Sequence, residues 1–104
     1  MPVVVVASFT AKPESAEVVN AACTKAIEAV HGEPGCELYS LHRTGDTFVF
    51  IEQWADADAL KAHGTAPAIG VLFAEIGEHL AGSPDIKMLD PVPAGDPAKG
   101  RLRA

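Results

Sequence analysis

A carboxylate, an imidazole and the only tryptophan of the chain lie close together in the sequence, at Glu52, His63 and Trp54. Residues 48–54 have the composition of a strand, and alternate side chains of a strand lie on the same face, so Glu52 shares a face with Phe50 and Trp54. A buried acid among aromatic rings must be paired, solvated in a cavity or protonated, because an isolated buried charge is too costly. We therefore expect this corner to form either a pocket or a hydrogen-bonded core.

His63 is the candidate base at this corner. The segment after Asp56 is predicted to be a helix capped by that aspartate, and Leu60 and His63 lie on the same side of it, facing the sheet. An imidazole near its unperturbed pKa accepts a proton at neutral pH, so His63 could act as a general base. The alternative is a structural role, in which His63 donates to a carbonyl and Glu52 bonds a backbone N–H or His63 itself.

Three further side chains are candidates for binding a ligand. Trp54 could stack on a flat aromatic compound, although it could equally be the largest core side chain. Asn20 borders the apolar stripe of the first predicted helix, where its amide could bond a substrate oxygen or meet solvent. Strict alternation places Tyr39 on the same strand face as Glu37 and Leu41, as either an interface or a pocket hydroxyl.

Composition excludes several classes of function. Fourteen acidic residues against eight basic ones give a net charge of −6, and the arginines form no cluster with the lysines, so nucleic acid and anionic membranes are not expected partners. No apolar run approaches the roughly 20 residues of a membrane span. We expect a soluble, cytoplasmic protein in which Cys23 and Cys36 are reduced.

The elements that must position these residues follow from periodicity and turn signals. The predicted order is strand, helix, strand, strand, helix and strand, an α+β ferredoxin-like split βαβ fold with an antiparallel four-stranded sheet and helices on one face. Residues 1–90 form this domain, and the Pro/Gly-rich residues 91–104 form a tail that is disordered or packed on a partner subunit. The predicted segments are strands 3–10, 36–43, 47–54 and 85–89, a helix from Lys12-Pro13-Glu14 to the Gly32–Gly35 stop, a short helix from Asp56 to Gly64, and a helical run from Pro67 to Leu80.

Both faces of the predicted sheet are apolar. The side chains of Val4 and Val6 point to the opposite face from those of Val3 and Val5. A two-layer monomer would therefore leave one apolar face of the sheet exposed to water. Two copies packed sheet against sheet would cover that face through one self-complementary surface. We therefore predict a homodimer.

The sequence contains none of the common motifs for a bound cofactor. It has no GxGxxG, no phosphate-cradling glycine loop and no closely spaced cysteine, histidine and carboxylate group. We accordingly expect no nucleotide, flavin or metal cofactor, and any chemistry must come from ordinary side chains.

The motifs around this corner are similar to those of a known family. The chain resembles the antibiotic biosynthesis monooxygenase domain family, especially its quinol monooxygenase branch, over roughly residues 3–90. The segments that carry the resemblance are Ile51-Glu52-Gln53-Trp54, Ala59-Leu60-Lys61-Ala62-His63, Thr65-Ala66-Pro67, Glu33-Pro34-Gly35-Cys36 and Leu80-Ala81-Gly82.

The resemblance implies a dimeric α+β barrel with a pocket between the helices and the sheet of each subunit. It also implies oxidation of a phenolic or quinol-like compound by O₂ without metal or flavin, since a deprotonated electron-rich substrate can itself pass an electron to O₂. In that picture His63 or Glu52 assists proton removal, Trp54 and Phe73 form aromatic walls beside Phe50, and Asn20 holds an oxygen.

Two departures from the family pattern narrow these expectations. Many relatives continue Ser-Pro-His where this chain has Ala66-Pro67-Ala68, so a mechanism with two histidines is not expected. Haem-degrading relatives use an asparagine, a tryptophan and a histidine at positions that are Val6, His63 and Phe73 here, which disfavours haem degradation.

Three functional hypotheses remain. The first is a cofactor-independent monooxygenase acting on a small phenol or quinol. The second is a small-metabolite isomerase on the same barrel, for which Arg43 is the only arginine inside the domain. The third is a non-catalytic dimeric ligand-binding protein whose polar pocket groups satisfy one another.

Overall fold

The fold is that of a four-stranded antiparallel sheet covered on one face by helices, in a computed structural model that describes residues 1–103. The strands lie in the order β2-β3-β1-β4, which confirms the ferredoxin-like split βαβ arrangement. The elements in chain order are β1 (Val3–Thr10), α1 (Ala16–His31), β2 (Cys36–Thr44), β3 (Thr47–Trp54), α2 (Ala57–Gly64), α3 (Pro67–Ile76) and β4 (Asp85–Leu89).

The core lies between the sheet and α1. One stripe of α1 is fully buried, because its apolar side chains recur at three- and four-residue steps and so face the sheet together. From the sheet side, alternate residues of β1 and β3 meet this stripe. The residues concerned are Val19, Cys23, Ala26 and Val30 on α1, and Val5, Phe9, Phe48 and Phe50 on the sheet.

The ends of two helices differ from the sequence predictions. The turn Pro13–Ser15 is a 3₁₀ helix, and α1 begins only at Ala16. The predicted helical run from Pro67 to Leu80 is α-helical only to Ile76, after which Gly77–His79 forms another 3₁₀ turn. Glycine is a poor helix former, and helix ends commonly tighten into a 3₁₀ turn.

The hairpin of β2 and β3 contains a β-bulge that changes which side chains face the helices. Cys36 pairs with Trp54, but the next pair is Leu38 with Gln53, so Glu37 is an extra residue on β2. The bulge places the Glu37 carboxylate on the Gln53 side, where it accepts a hydrogen bond from Gln53 Nε2 at 2.8 Å. Tyr39 and Glu37 therefore do not share a face, which corrects the strict alternation assumed from the sequence.

No helix of the described part of the chain packs on the second face of the sheet. Val4 and Val6 of β1 and Val49 and Ile51 of β3 project from it and are half-buried. Residues 90–103 contain no helix or strand, and the Arg103 carbonyl accepts a second hydrogen bond from Gln53 Nε2, at 3.4 Å. Within residues 1–103, no helix has the length and apolar character needed to cross a membrane.

Candidate active site

Helix α2 carries His63 into the space between helices and sheet. The Asp56 side chain caps this helix by accepting the backbone N–H of Ala59 at 2.8 Å, as its position in the sequence predicts. Ala59 and His63 are one helical turn apart and so lie on the same face of α2. His63 is buried, with only 7% of its surface exposed.

The loop between α1 and β2 packs on this face of α2. Gly35 has φ 80°, and its carbonyl accepts the backbone N–H of Ala55 at 2.8 Å. A Cβ on Gly35 would lie 2.5 Å from the Cβ of Ala59, so only glycine allows the loop to approach α2 this closely. This close approach brings Glu33, two residues earlier, to the level of His63.

Glu33 and His63 form the tightest polar contact of the site. The Nδ1 atom of His63 lies 2.7 Å from Oε1 of Glu33, and both side chains are largely buried. A carboxylate can only accept hydrogen bonds, so beside an ionised Glu33 the hydrogen of a neutral His63 is on Nδ1. Its Nε2 atom then carries a lone pair and can take a proton.

Glu52 faces that Nε2 atom from the sheet. Its Oε1 accepts the indole N–H of Trp54 at 2.9 Å and lies 4.0 Å from Nε2 of His63. Burial raises the pKa of the Glu52 carboxyl above its ordinary value, while the Trp54 N–H and His63 act in the opposite direction. The 4.0 Å separation is too long for a direct hydrogen bond, but a water or a ligand hydroxyl could bridge it.

Aromatic rings surround the imidazole. The Trp54 ring lies 4.4 Å from His63, centroid to centroid, and the Tyr39 ring approaches it edge-on at 5.5 Å. Tyr39 in turn stacks on Phe50 at 4.5 Å. These contacts hold His63 in one orientation and keep bulk water away from it.

A cavity of about 240 Å³ opens beside these groups, between the sheet and helices α2 and α3. Its buried end is formed by Glu52 and His63, and its open side by Phe73 and Ile86, which are 37% and 56% exposed. The sheet contributes Val5, Ala7, Phe9, Tyr39, Phe50 and Glu52, and the helices contribute Leu60, His63, Ile69, Leu72 and Phe73. The cavity is therefore apolar except for one acid–base pair and a phenol ring.

The sequence candidates fall into two groups. Glu52, His63, Phe50 and Phe73 all line the cavity. Trp54 does not line it but lies behind Glu52 and His63, completely buried. Asn20 lies on α1, away from the cavity wall.

Glu33 is the site residue that the sequence did not single out. It lies in a loop, thirty residues before its partner, and no periodic pattern joins it to α2. The one signal was the Gly-Glu-Pro-Gly turn of residues 32–35, whose second glycine permits the close approach to α2.

The pocket location of Tyr39 follows from the hairpin, since the two-residue turn of Gly45 and Asp46 sets Tyr39 opposite Glu52.

Among residues 1–103, no group of three or more histidine, cysteine, aspartate or glutamate side chains is arranged to hold a metal ion. Glu33, His63 and Glu52 instead form a line of acid, base and acid that ends at the cavity. Such a line can hold and move a proton at the edge of an apolar chamber.

Comparison with known proteins places the chain among proteins of the same fold and sequence pattern. It is 30% identical over 90 residues to the uncharacterized Synechocystis protein sll1783, covering 84% of this chain and 61% of that protein, so it spans less than two thirds of that relative. It is 28% identical over 93 residues to Rv0793 of Mycobacterium tuberculosis, covering 88% and 92% of the two chains.

Solved structures agree with these relationships. The structure of Rv0793 superposes with a TM-score of 0.85 at 26% identity, over 92% of this chain and 100% of that one. A crystal structure of an antibiotic biosynthesis monooxygenase superposes with a TM-score of 0.83 at 30% identity, over 88% and 99% of the two chains. The sequence model of the family described as antibiotic biosynthesis monooxygenase matches residues 2–74, which is more than half of the chain. The chain therefore belongs to the antibiotic biosynthesis monooxygenase family.

Proposed function

We propose that this protein is a cofactor-independent monooxygenase that oxidises a small phenolic or quinol-like compound with O₂. The observation that carries the proposal is the apolar cavity with Nε2 of His63 and Oε1 of Glu52 at its buried end. Family membership supports the same class of reaction.

The base in this proposal is His63. A ligand hydroxyl placed between Nε2 of His63 and Glu52 would donate its proton to Nε2. Glu52, with its pKa raised by burial, can stay protonated and donate to the phenolate oxygen that remains. The surrounding rings exclude water, which strengthens both hydrogen bonds.

The reaction balances without an added reductant. The quinolate gives one electron to O₂, and the two radicals join to form a carbon–oxygen bond at the ring. Protonation yields a ring hydroperoxide, and loss of the ring C–H proton with cleavage of the O–O bond releases water. Quinol and O₂ thus become hydroxyquinone and water, with all four electrons supplied by the substrate and the departing proton carried by the base.

The cavity volume limits the substrate to one or two rings. A dry apolar cavity of about 150 Å³ accommodates benzene, and the chamber here measures about 240 Å³. Phe73 and Ile86 at the open side would let a larger substituent extend outward. Among the described residues that line the wall there is no lysine or arginine, so an uncharged substrate fits better than a carboxylated or phosphorylated one.

We also propose that the active form is a homodimer. Val4, Val6, Val49 and Ile51 form an apolar surface on the face that no helix covers, and a second copy would bury it. The expectation that residues 91–104 form a tail that is disordered or packed on the partner subunit stays a prediction.

The isomerase hypothesis has less support from the site. Arg43 pairs with Glu17 at the surface, at 2.9 Å, and does not line the cavity. A binder without catalysis remains the alternative that activity measurements must exclude.

Labelled oxygen provides the test of the reaction class. A panel of one- and two-ring quinols is incubated with the protein under ¹⁸O₂, and the products are analysed by mass spectrometry. The proposal expects one labelled oxygen atom in the product, the other in water, and no product without O₂. Unlabelled product, or turnover that persists without O₂, would contradict a monooxygenase.

A further inference from the structure

Glu33 takes no part in the function proposed so far, yet it makes the shortest contact to the base. Its Oε1 lies 2.7 Å from Nδ1 of His63, on the side of the ring remote from Glu52. It does not line the cavity, so it has no contact with a ligand there. Any part that Glu33 takes in the chemistry must therefore act through His63.

The second oxygen of Glu33 has an unusual environment. Among the residues that the structure describes, Glu33 Oε2 is the one buried side-chain oxygen or nitrogen without a hydrogen-bond partner. Buried polar atoms are nearly always paired, since an unpaired one costs free energy. The buried negative charge of a carboxylate with a single hydrogen bond to an imidazole is stabilised more strongly when that imidazole becomes positively charged.

Three titratable side chains face the His63 ring: Glu33 from the loop before β2, Glu52 from β3 and Tyr39 from β2. Glu52 and Tyr39 lie on the cavity side, and burial raises the pKa of both, which favours their neutral forms. The charge that can balance an imidazolium without contacting the ligand is therefore that of Glu33.

We propose that Glu33 is the positioning residue of the His63 base: it holds the ring hydrogen on Nδ1, so that Nε2 faces the cavity unprotonated, and it balances the imidazolium after proton transfer. In that step the phenol O–H bond breaks, the proton forms a bond to Nε2, and the electron pair stays on the phenolate oxygen. The Nδ1–H···Oε1 hydrogen bond persists and gains an ionic component. The inference rests on the proposed function only in taking His63 as the group that ionises the ligand.

The first test uses the protein without ligand. Nitrogen-15 NMR of the histidine rings distinguishes the two neutral tautomers, and wild-type His63 is expected to have its hydrogen on Nδ1. Glu33→Gln keeps an acceptor for Nδ1–H and should keep that tautomer, whereas Glu33→Ala should give a mixture of tautomers. Glu28→Gln, an exposed carboxylate on α1, is the matched control and should change nothing.

The second test separates charge from hydrogen bonding. The probe is 4-nitrophenol, whose visible absorbance distinguishes phenol from phenolate. Bound to the wild type below its own pKa, it should show the phenolate band. Glu33→Gln should bind it no more than about tenfold more weakly than wild type and should lower the ratio of bound phenolate to bound phenol by about tenfold, since an opposite charge within hydrogen-bonding distance favours the charged form by about one pKa unit or more.

The outcomes separate the inference from the function on which it rests. A Glu33→Ala protein that keeps the wild-type tautomer, or a Glu33→Gln protein with the wild-type phenolate fraction, overturns the role of Glu33. Circular-dichroism melting shows whether each variant is folded, and Glu33→Gln keeps the proposal falsifiable if Glu33→Ala unfolds. The expected tautomers and phenolate fractions without any oxygen uptake would overturn the monooxygenase and leave the role of Glu33 intact.

Discussion

Tyr39 lies directly opposite Glu52 in the ladder between β2 and β3, so the hairpin places a phenol ring and a carboxylate side by side on the cavity wall. Burial raises the pKa of Tyr39, and the Glu52 charge raises it further. Burial likewise raises the pKa of Glu52. Burial at this corner thus favours the neutral forms of both side chains, and in those forms each can donate a hydrogen bond to an oxygen in the cavity.

The raised pKa of Glu52 predicts how stability depends on pH. In the unfolded chain the Glu52 carboxyl has its ordinary pKa of about 4.5, but in the folded protein burial raises that pKa. Above pH 4.5 the unfolded state therefore binds fewer protons than the folded state, and stability falls as pH rises through this window. Glu52→Gln removes this penalty and keeps an acceptor for the Trp54 N–H.

We accordingly expect the free energy of unfolding of Glu52→Gln minus that of wild type to increase from pH 4 to pH 8. Urea denaturation at several pH values measures it. Glu28→Gln, at an exposed acid of α1, is the control and should show no such trend. A difference that is constant with pH would show that Glu52 ionises normally.

The close approach of Gly35 to α2 predicts a large cost for a small substitution. Gly35→Ala places a Cβ 2.5 Å from Ala59 at a positive φ, whereas Gly45→Ala has a positive φ and nothing within 4 Å. The backbone term alone costs about 1–2 kcal/mol, and overlap with α2 adds about 1–3 kcal/mol. Thermal and urea unfolding should show Gly35→Ala to be the less stable of the two. Equal losses would mean that the loop does not pack on α2 as described.

Filling the cavity should weaken ligand binding without unfolding the protein. Ala7 of β1 lines the cavity, and the larger side chain of Ala7→Phe would occupy part of the cavity volume. We expect the affinity for 4-nitrophenol, measured by calorimetry, to fall at least about tenfold, which is about 1.4 kcal/mol. Ala74→Phe, at an exposed position of α3, is the control and should bind as wild type does. Undiminished binding to Ala7→Phe would place the ligand elsewhere.

Because the open face of the sheet is apolar, a single charged substitution on it should dissociate the proposed dimer. Val6 projects from this face, and Val6→Glu would bury a carboxylate between two sheets, so the dimer should dissociate at micromolar concentration. Val18→Glu, at an exposed position of α1, should leave the mass unchanged. Light scattering coupled to size-exclusion chromatography measures both. A wild-type monomer at these concentrations would contradict the dimer.

Much of the fold could be predicted from local patterns. The bounds of β1, β3 and β4 and the Asp56 cap match the sequence predictions, because alternation, turn residues and capping side chains act over a few neighbouring residues. The helix from Pro67 was predicted too long, since its apolar stripe continues past Gly77.

The site was less accessible to such reasoning. The Glu33–His63 contact joins a loop to a helix thirty residues away, and it depends on the path of the chain around Gly35. The bulge at Glu37 moved one carboxylate to the other face, which no alternation pattern reports. Trp54 lies behind the cavity, where its indole N–H donates a hydrogen bond to Glu52. Each depends on tertiary packing, which local sequence patterns do not specify.

Oxygen uptake by His63→Ala shows whether His63 is the base of a quinol monooxygenase. A Clark electrode records O₂ consumption with one- and two-ring quinols for wild type, His63→Ala and the control His42→Ala, whose ring lies on the surface beside Ser40. Loss of a general base typically costs about 10²–10⁴-fold in rate. We predict uptake by wild type and His42→Ala, and a loss of that order in a folded His63→Ala protein. Wild-type uptake equal to the buffer blank across the panel would rule out the proposed reaction, and full uptake by His63→Ala would rule out His63 as its base.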